Sequence, residues 1–540
     1  MKTITNLALA CCAASSLLLN SCIEETEPMG STVIEKQIGY NLKDAALSAA
    51  LAMPSNMVTS RGQYFTFSYP SMMIMRDAMT ADLTTNEDAD YFRNYSSNLN
   101  LGETSAYTQV IWDYYYKQLQ AINETIAPIN SEQASEGELG IRAAAKAYRA
   151  MAYLDLARWV EFLPNDKTSP ITSMGNDVTH LTVPIVTEST TAVTATKNPR
   201  ATRQEMFDFI LADLDEAEQN IGKLEQVPQL WALATMPRLS AVYGLKARLY
   251  MWVEDYAKAR EFARKAINAG SHQPMTKAEY QDKRTGFNSS NNKSWMWSMS
   301  INKETNVVGT VANFTSWRSP EATFGFAGHP SLNYSTAPRI GKALYDRMSN
   351  TDLRKALFVA PTGSALAAES QALKIDPAQP LPTYVGFKFR PGSGETVVRE
   401  TASVISLPIM RMEEMVMIEA EAAAHLNPIE GRDLLVAFMK SYRDPNYSTT
   451  ATTKDEVVEE IVFQKRVELW GEGQSLFDIK RLNYSVTRRY EGSNFPLSRQ
   501  FNTDGRPAWM NLCIVDLEKR FNRPLTGYEN PDPSGLYPTR

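Results

Sequence analysis

The stretch "LSAVYGLKARLYMWVEDYAKAREFARKAINAG", residues 239–270, constrains the fold most. Two helix-period runs flank a short break at Glu254-Asp255. Small residues (Gly244, Ala247, Ala259, Ala263, Ala266) alternate with large ones (Tyr243, Tyr250, Tyr256, Phe262). Small-against-large faces let two antiparallel helices approach closely, so the segment predicts a tightly packed helical pair.

Other segments repeat the pattern. "IRAAAKAYRAMAYLDLARWVEF" (141–162) sets Ala144, Tyr148, Met151, Leu154 and Trp159 near one stripe, and Pro164 stops it. A Thr-rich linker (187–199) follows. Thr202 and Glu205 then form an N-capping pair, and Gly222 closes the helix they start. Residues 239–270 resemble a tetratricopeptide unit, whose period is about 34 residues. The chain from 141 reads as a partial second copy and residues 409–443 as a third. Their irregular spacing predicts a scaffold with long insertions rather than a simple solenoid. Between the copies, residues 271–408 are rich in Ser, Asn, Gly, Pro and aromatics, which reads as short strands and loops. The tail from 484 reads mainly as loop. The fold class expected is therefore mainly α, with tetratricopeptide-like helical pairs and a long loop and short-strand insertion.

The first residues carry an address. Lys2 precedes an apolar run over residues 7–19, too short to span a membrane and of the length of a secretory signal core. It ends in Leu19-Asn20-Ser21-Cys22, which resembles a bacterial lipobox. Residues 1–21 are then a lipoprotein signal peptide and Cys22 the lipidated residue; an ordinary signal peptide with an incidental cysteine is the alternative. Glu24, Glu25 and Glu27 resemble the surface-export signal of lipoproteins in the Bacteroidetes.

Composition excludes several classes. Of 540 residues, 519 follow the signal, and a prior of about 150 residues per domain suggests two to four units. The net charge of −6 argues against nucleic acid. Cys513 alone remains after Cys22, so no intramolecular disulfide is expected, and its apolar surroundings predict a small buried hydrophobe. His180, His272, His329 and His425 have no i+3 or i+4 pairing, and no metal is expected. Asn86, Asp88 and Asp90 alternate like the start of a calcium loop. The glycine and glutamate of such a loop are missing, so this reads as a polar loop, with structural calcium the minority alternative and no cofactor expected. Glu413, Glu414, Glu419 and Glu421 share one predicted helix, whereas a glycosidase needs carboxylates facing across a cleft about 5–10 Å wide.

At "EEIVFQKRVELWGEGQSLFDIKRLNY" (459–484) the chain resembles the C-terminal signature of the SusD/RagB family of Bacteroidetes outer-membrane lipoproteins. Lys465, Arg466, Glu468, Leu469 and Trp470 precede a Gly-Glu-Gly break, and Phe477, Asp478, Lys480 and Arg481 follow it. "WDYYYKQLQAINETI" (112–126), "FDFILADLDEA", "SWMWSM" (294–299) and "IMRMEEMVMIEAEA" match in the family's order. The chain departs at Gln474, where the family usually carries arginine, and around 163–200. The resemblance implies one SusD-like domain over 22–540, with a helical scaffold at about 40–270 and 409–484 and the insertion at about 271–408. It implies a non-catalytic, lipid-anchored protein on the outer-membrane surface. Such a protein would capture oligo- or polysaccharide for a SusC-like TonB-dependent transporter. A peptide-binding member, a surface hydrolase and a general tetratricopeptide scaffold are the alternatives.

The family places its ligand site on the loop-rich face. There the loops supply Tyr91, Phe92, Tyr95, Trp317 and Tyr334, with Asp82, Asn94 and Arg318 as hydroxyl partners. Aromatics amid Asn, Ser and Gly lack a helical stripe to explain them and can cover the apolar face of a sugar ring. Phe324 and Phe326 lie in the same stretch. Trp317 is the leading candidate, and Trp317→Ala is expected to weaken binding while leaving the thermal midpoint nearly unchanged.

Overall fold

The computed structural model describes residues 42–86 and 91–538. The signal segment, Cys22, Asp88 and Asp90 lie outside the described residues. The principal helices are α1 (Leu42–Asn56), α2 (Tyr69–Ala78), α3 (Ala106–Ile126), α4 (Glu136–Val160), α5 (Arg203–Asn220), α6 (Leu239–Trp252) and α7 (Tyr256–Asn268). After the insertion come α8 (Met412–Leu426), α9 (Pro428–Tyr442), α10 (Lys454–Glu468) and α11 (Ser475–Arg481). From α3 to α8 each helix packs on the next, and α9 and α10 both pack on α8. The fold is mainly helical, as the periodicity predicts.

Local chemistry sets the helix ends. Ser135 with Glu138 and Thr202 with Glu205 form reciprocal capping boxes at the starts of α4 and α5. Gly222 does not end α5. That helix runs into a 3₁₀ turn, Ile221–Gln226, which presses onto α4 at Gly140. A side chain at Gly140 would collide with the backbone of Leu224, and one at Gly431 with Ala424. These are the close approaches that the small-against-large pattern requires. The turn between α6 and α7 is three residues long, with Glu254 at φ 62°.

Four strands tie the insertion down: β1 (Leu83–Thr84), β2 (Trp295–Ser300), β3 (Arg339–Ile340) and β4 (Ser406–Arg411). β2 pairs antiparallel with β4, from Trp295 opposite Arg411 to Ser300 opposite Ser406, with a bulge at Trp297. This ladder closes the base of the insertion and leads directly into α8. β1 pairs with β3, joining the early segment to the insertion. Buried apolar residues of helices and insertion form one continuous cluster, and a second, smaller one lies among α8, α9 and α10. Cys513 is buried, as its surroundings predict.

Candidate functional site

Three short segments build a cluster of rings at the surface. Residues 61–66 form a closed turn: the Arg61 amide donates to the Thr66 carbonyl (2.8 Å) and the Thr66 amide to the Gln63 carbonyl (3.1 Å). Tyr64 at its tip is pushed outward and is 47% exposed. A short helix, Phe314–Arg318, starts where the Asn313 side chain accepts the Ser316 amide (2.9 Å). The following loop folds back on it. Ala327 donates to the Ser316 carbonyl and Phe326 to the Ser316 hydroxyl. Gly325 lies against Ser316 where a side chain would collide. That return sets Phe326 parallel on Trp317, centroids 4.2 Å apart.

Tyr91, 41% exposed, completes the cluster. Its ring lies 4.9 Å from Tyr64, 5.7 Å from Phe326 and 5.7 Å from Trp317. Tyr64 meets Phe326 edge-on at 5.5 Å. Beside the rings runs an open apolar groove of about 180 Å³, lined by Val311, Phe324, Phe326, His329 and Leu332. Beyond the 61–66 turn lies a polar cleft of about 160 Å³, lined by Arg61, Gln63, Asp113, Tyr114 and Lys117. Nε of Arg61 has no hydrogen-bond partner among the described residues. Rings flanked by donors and acceptors suit a ligand with apolar faces and hydroxyl edges.

Of the residues expected from the sequence, only Tyr91 presents its ring to solvent. Trp317 is 3% exposed; Phe326 covers one face, Phe92 meets it edge-on, and its Nε1 donates to the Tyr64 carbonyl (2.8 Å). It supports the surface rather than forming it. Phe92, Tyr95 and Tyr334 are buried, and the Tyr95 hydroxyl donates to the Tyr107 carbonyl. The Asn94 side chain is buried and accepts from Asn100. Asp82 is paired with Arg466, whose Nε donates to both its oxygens. Arg318 is buried 3.7 Å from Asp77. The correction has one cause. The insertion is thick enough to have its own interior, and its large rings and ionic groups fill it. Tyr64 was not anticipated. Its signal is "RGQYFTF", an aromatic next to Gly62 and Gln63 in a turn.

The carboxylates of α8 do not face a cleft together. Glu413 bonds Arg443, Glu414 bonds Arg248, Glu419 bonds Arg264 and Glu421 bonds Arg481. Under α10, Glu468 accepts from Arg443, Arg411, Arg354 and the Tyr280 hydroxyl. Burial opposes its charge, but these guanidinium groups hold its carboxyl well below the usual range. Arg411 and Lys388 both bond Glu472, and Asp478 pairs with Lys465 and Arg481. His425 stacks on Tyr256 at 3.7 Å, and burial pushes its pKa down to about 4. Among the described residues, no group of three or more His, Cys, Asp or Glu is placed to hold a metal.

Comparison with known proteins fits this architecture at both ends of the chain. Residues 367–528 match the model of the SusD family, and residues 43–251 match a related model described as starch-binding, associating with the outer membrane. The chain belongs to the SusD family. No curated protein matches its sequence. Solved structures share the fold of this SusD-family chain at low identity. A SusD-like carbohydrate-binding protein from Bacteroides vulgatus is 20% identical with a TM-score of 0.68, over 89% of this chain and 96% of that one. A SusD superfamily protein from Bacteroides thetaiotaomicron is 18% identical with a TM-score of 0.66, over 90% and 99%. A SusD-like carbohydrate-binding protein from Bacteroides fragilis is 15% identical with a TM-score of 0.63, over 90% and 100%. Among the described residues, no helix of this SusD-family chain is long and apolar enough to cross a membrane.

Proposed function

We propose that the ring cluster at Tyr64 and Tyr91 is a glycan-binding platform and that the chain is a non-catalytic capture protein of the outer-membrane surface. The observation that carries this reading is the pairing of two exposed tyrosines with a stacked Phe326–Trp317 base, between an apolar groove and a polar cleft. A tyrosine held edge and back by other rings loses little freedom on binding, so the sugar face it covers adds affinity. The family description and the carbohydrate-binding neighbours support glycan as the ligand. Cys22 would carry the lipid, and a SusC-like TonB-dependent transporter would receive the ligand. The pairing of the α8 carboxylates with arginines supports capture rather than hydrolysis.

Burying part of one ring face, at about 25 cal/mol per Å², contributes on the order of 1–2 kcal/mol, about tenfold in affinity. Calorimetric titration of oligosaccharides against wild type, Tyr64→Ala and Tyr91→Ala tests the platform. Each variant should weaken binding about tenfold while remaining folded. Full affinity in both variants would remove the cluster from the site. Binding of peptides with no glycan in the panel recognised would replace the ligand class.

A further inference from the structure

The polar cleft behind the 61–66 turn carries charge that the protein leaves unmatched. The turn gives it Arg61 and Gln63, and α3 gives it Asp113, Tyr114 and Lys117. Two cations thus line it against one carboxylate, in a chain whose net charge is −6. Arg61 is half-buried, and among the described residues its side chain makes no hydrogen bond and no ion pair. Its Nε is sealed from solvent, but the two terminal nitrogens are not, so they form an open fork. Lys117 is exposed and makes no ion pair with Asp113 one turn before it on α3. One oxygen of Asp113 accepts from Gln109 (2.6 Å), which leaves the other as a free acceptor.

Tyr114 is the innermost of these groups. It is 2% exposed, and its hydroxyl has no hydrogen-bond partner among the described residues, yet it is not sealed off. The cleft is where that hydroxyl meets solvent. Burial lifts its pKa, with Tyr69 and Asp155 adding to the rise and Arg61 opposing it, so it remains a donor at neutral pH. A buried polar group is normally bonded, and here the partner must come from the cleft. An open guanidinium fork takes an oxyanion in two parallel charge-assisted bonds, and a lysine beside it adds a second charge. The free oxygen of Asp113 accepts a hydroxyl and repels a bare anion. The set therefore suits a ligand that carries an oxyanion and hydroxyls together.

The cleft is also tied to the ring platform. Arg61 and Tyr64 are three residues apart on one closed turn, so their Cα atoms lie within about 11 Å. Trp317 holds the Tyr64 carbonyl (2.8 Å) and Phe65 stacks on Tyr107 (5.1 Å), which fixes the turn between fork and ring. We propose that this cleft is an acidic-sugar subsite of the Tyr64 platform. The ligand is an anionic glycan: one sugar lies on Tyr64 while the carboxylate or sulfate of a neighbouring sugar sits on the Arg61 fork, with Lys117 beside it and hydroxyls on Asp113 and Tyr114. The assignment rests on the platform reading and adds a charge to its ligand.

Calorimetric titration with uronate oligosaccharides, their methyl esters, and neutral oligosaccharides with and without sulfate tests it. The ester keeps linkage and shape and removes only the charge. Wild type should bind one charged series about tenfold more tightly than its uncharged form, and the series preferred identifies the oxyanion. Added salt should narrow that gap. Arg61→Gln should abolish the preference and Lys117→Gln should reduce it several-fold, both with unchanged circular dichroism. Tyr64→Ala should weaken charged and uncharged ligands alike and keep the preference. Uncharged forms bound as tightly as charged ones, or a preference that survives in the Arg61→Gln/Lys117→Gln double variant, would overturn the subsite and leave the platform standing. A wild type that binds no member of the panel would overturn both.

Discussion

The region under α10 and the surface at Tyr64 each gather side chains from distant segments and put them to opposite uses. Around Glu468, arginines, carboxylates and the Tyr280 hydroxyl are buried and bonded to one another. Around Tyr64, rings pack on rings, and the outermost two, Tyr64 and Tyr91, are half-exposed. The first region holds α8, α10, the insertion and the α9 terminus in register. The second offers a surface. Residue type therefore says little about function until burial and partners are known.

The largest effect should come from the buried network. Glu468→Gln leaves guanidinium groups buried without their shared carboxylate, so a loss of about 3–5 kcal/mol is expected in chemical denaturation. A loss under about 1 kcal/mol would break the comparison, because Glu468 would then be no keystone.

Trp317 tests the other side. Its removal empties a space beneath the platform and orphans the Tyr64 carbonyl, so Trp317→Ala should cost about 3–5 kcal/mol. The burial of Trp317 thus replaces the expectation of an unchanged melting midpoint with that of a lowered one. A midpoint near wild type would return Trp317 to the surface.

A smaller effect concerns Asp77, at the C-terminal end of α2. Its Oδ1 accepts the Gly473 amide (3.0 Å), and burial lifts its pKa from 3.8 to about 7 against the pull of Arg318 and Arg76. A carboxyl raised in the folded state stabilises fully below its unfolded pKa, and that contribution is lost as pH rises through the folded one. Stability should therefore fall between about pH 4 and 7 from this group, and Asp77→Asn should flatten that slope. Identical pH profiles for the two proteins would show that Asp77 ionises normally.

The smallest stability change is expected at Tyr91. Tyr91→Ala should alter unfolding by less than about 0.5 kcal/mol, as a half-exposed ring outside the core should. A loss of several kcal/mol would make Tyr91 part of the support and leave Tyr64 as the sole platform.

The helices were legible because their residues obey a period. Gly244 and the alanines of α4, α6 and α7 declare close packing wherever they fall, and Thr202 with Glu205 declares a helix start. The insertion has no period, so inside and outside looked alike. Tyr91 and Phe92 are adjacent, and one ring is at the surface while the other is 3% exposed. Only the fold distinguishes them, because it brings residue 64 to residue 317. The arginine partners of Asp82 and Glu468 were invisible for the same reason: Arg466 reaches Asp82 across 384 positions of sequence.

The bond from the Trp317 indole to the Tyr64 carbonyl spans 253 positions, and it has a kinetic consequence. Contacts of such separation form late, because the loop between them must first be closed. The helices of α3 to α7 lie between the two ends and can assemble from local contacts, whereas the platform cannot exist until the insertion has docked. If the platform is the binding site, ligand binding would be acquired at the end of folding, and a chain arrested with its helices formed and its insertion loose would be unable to bind.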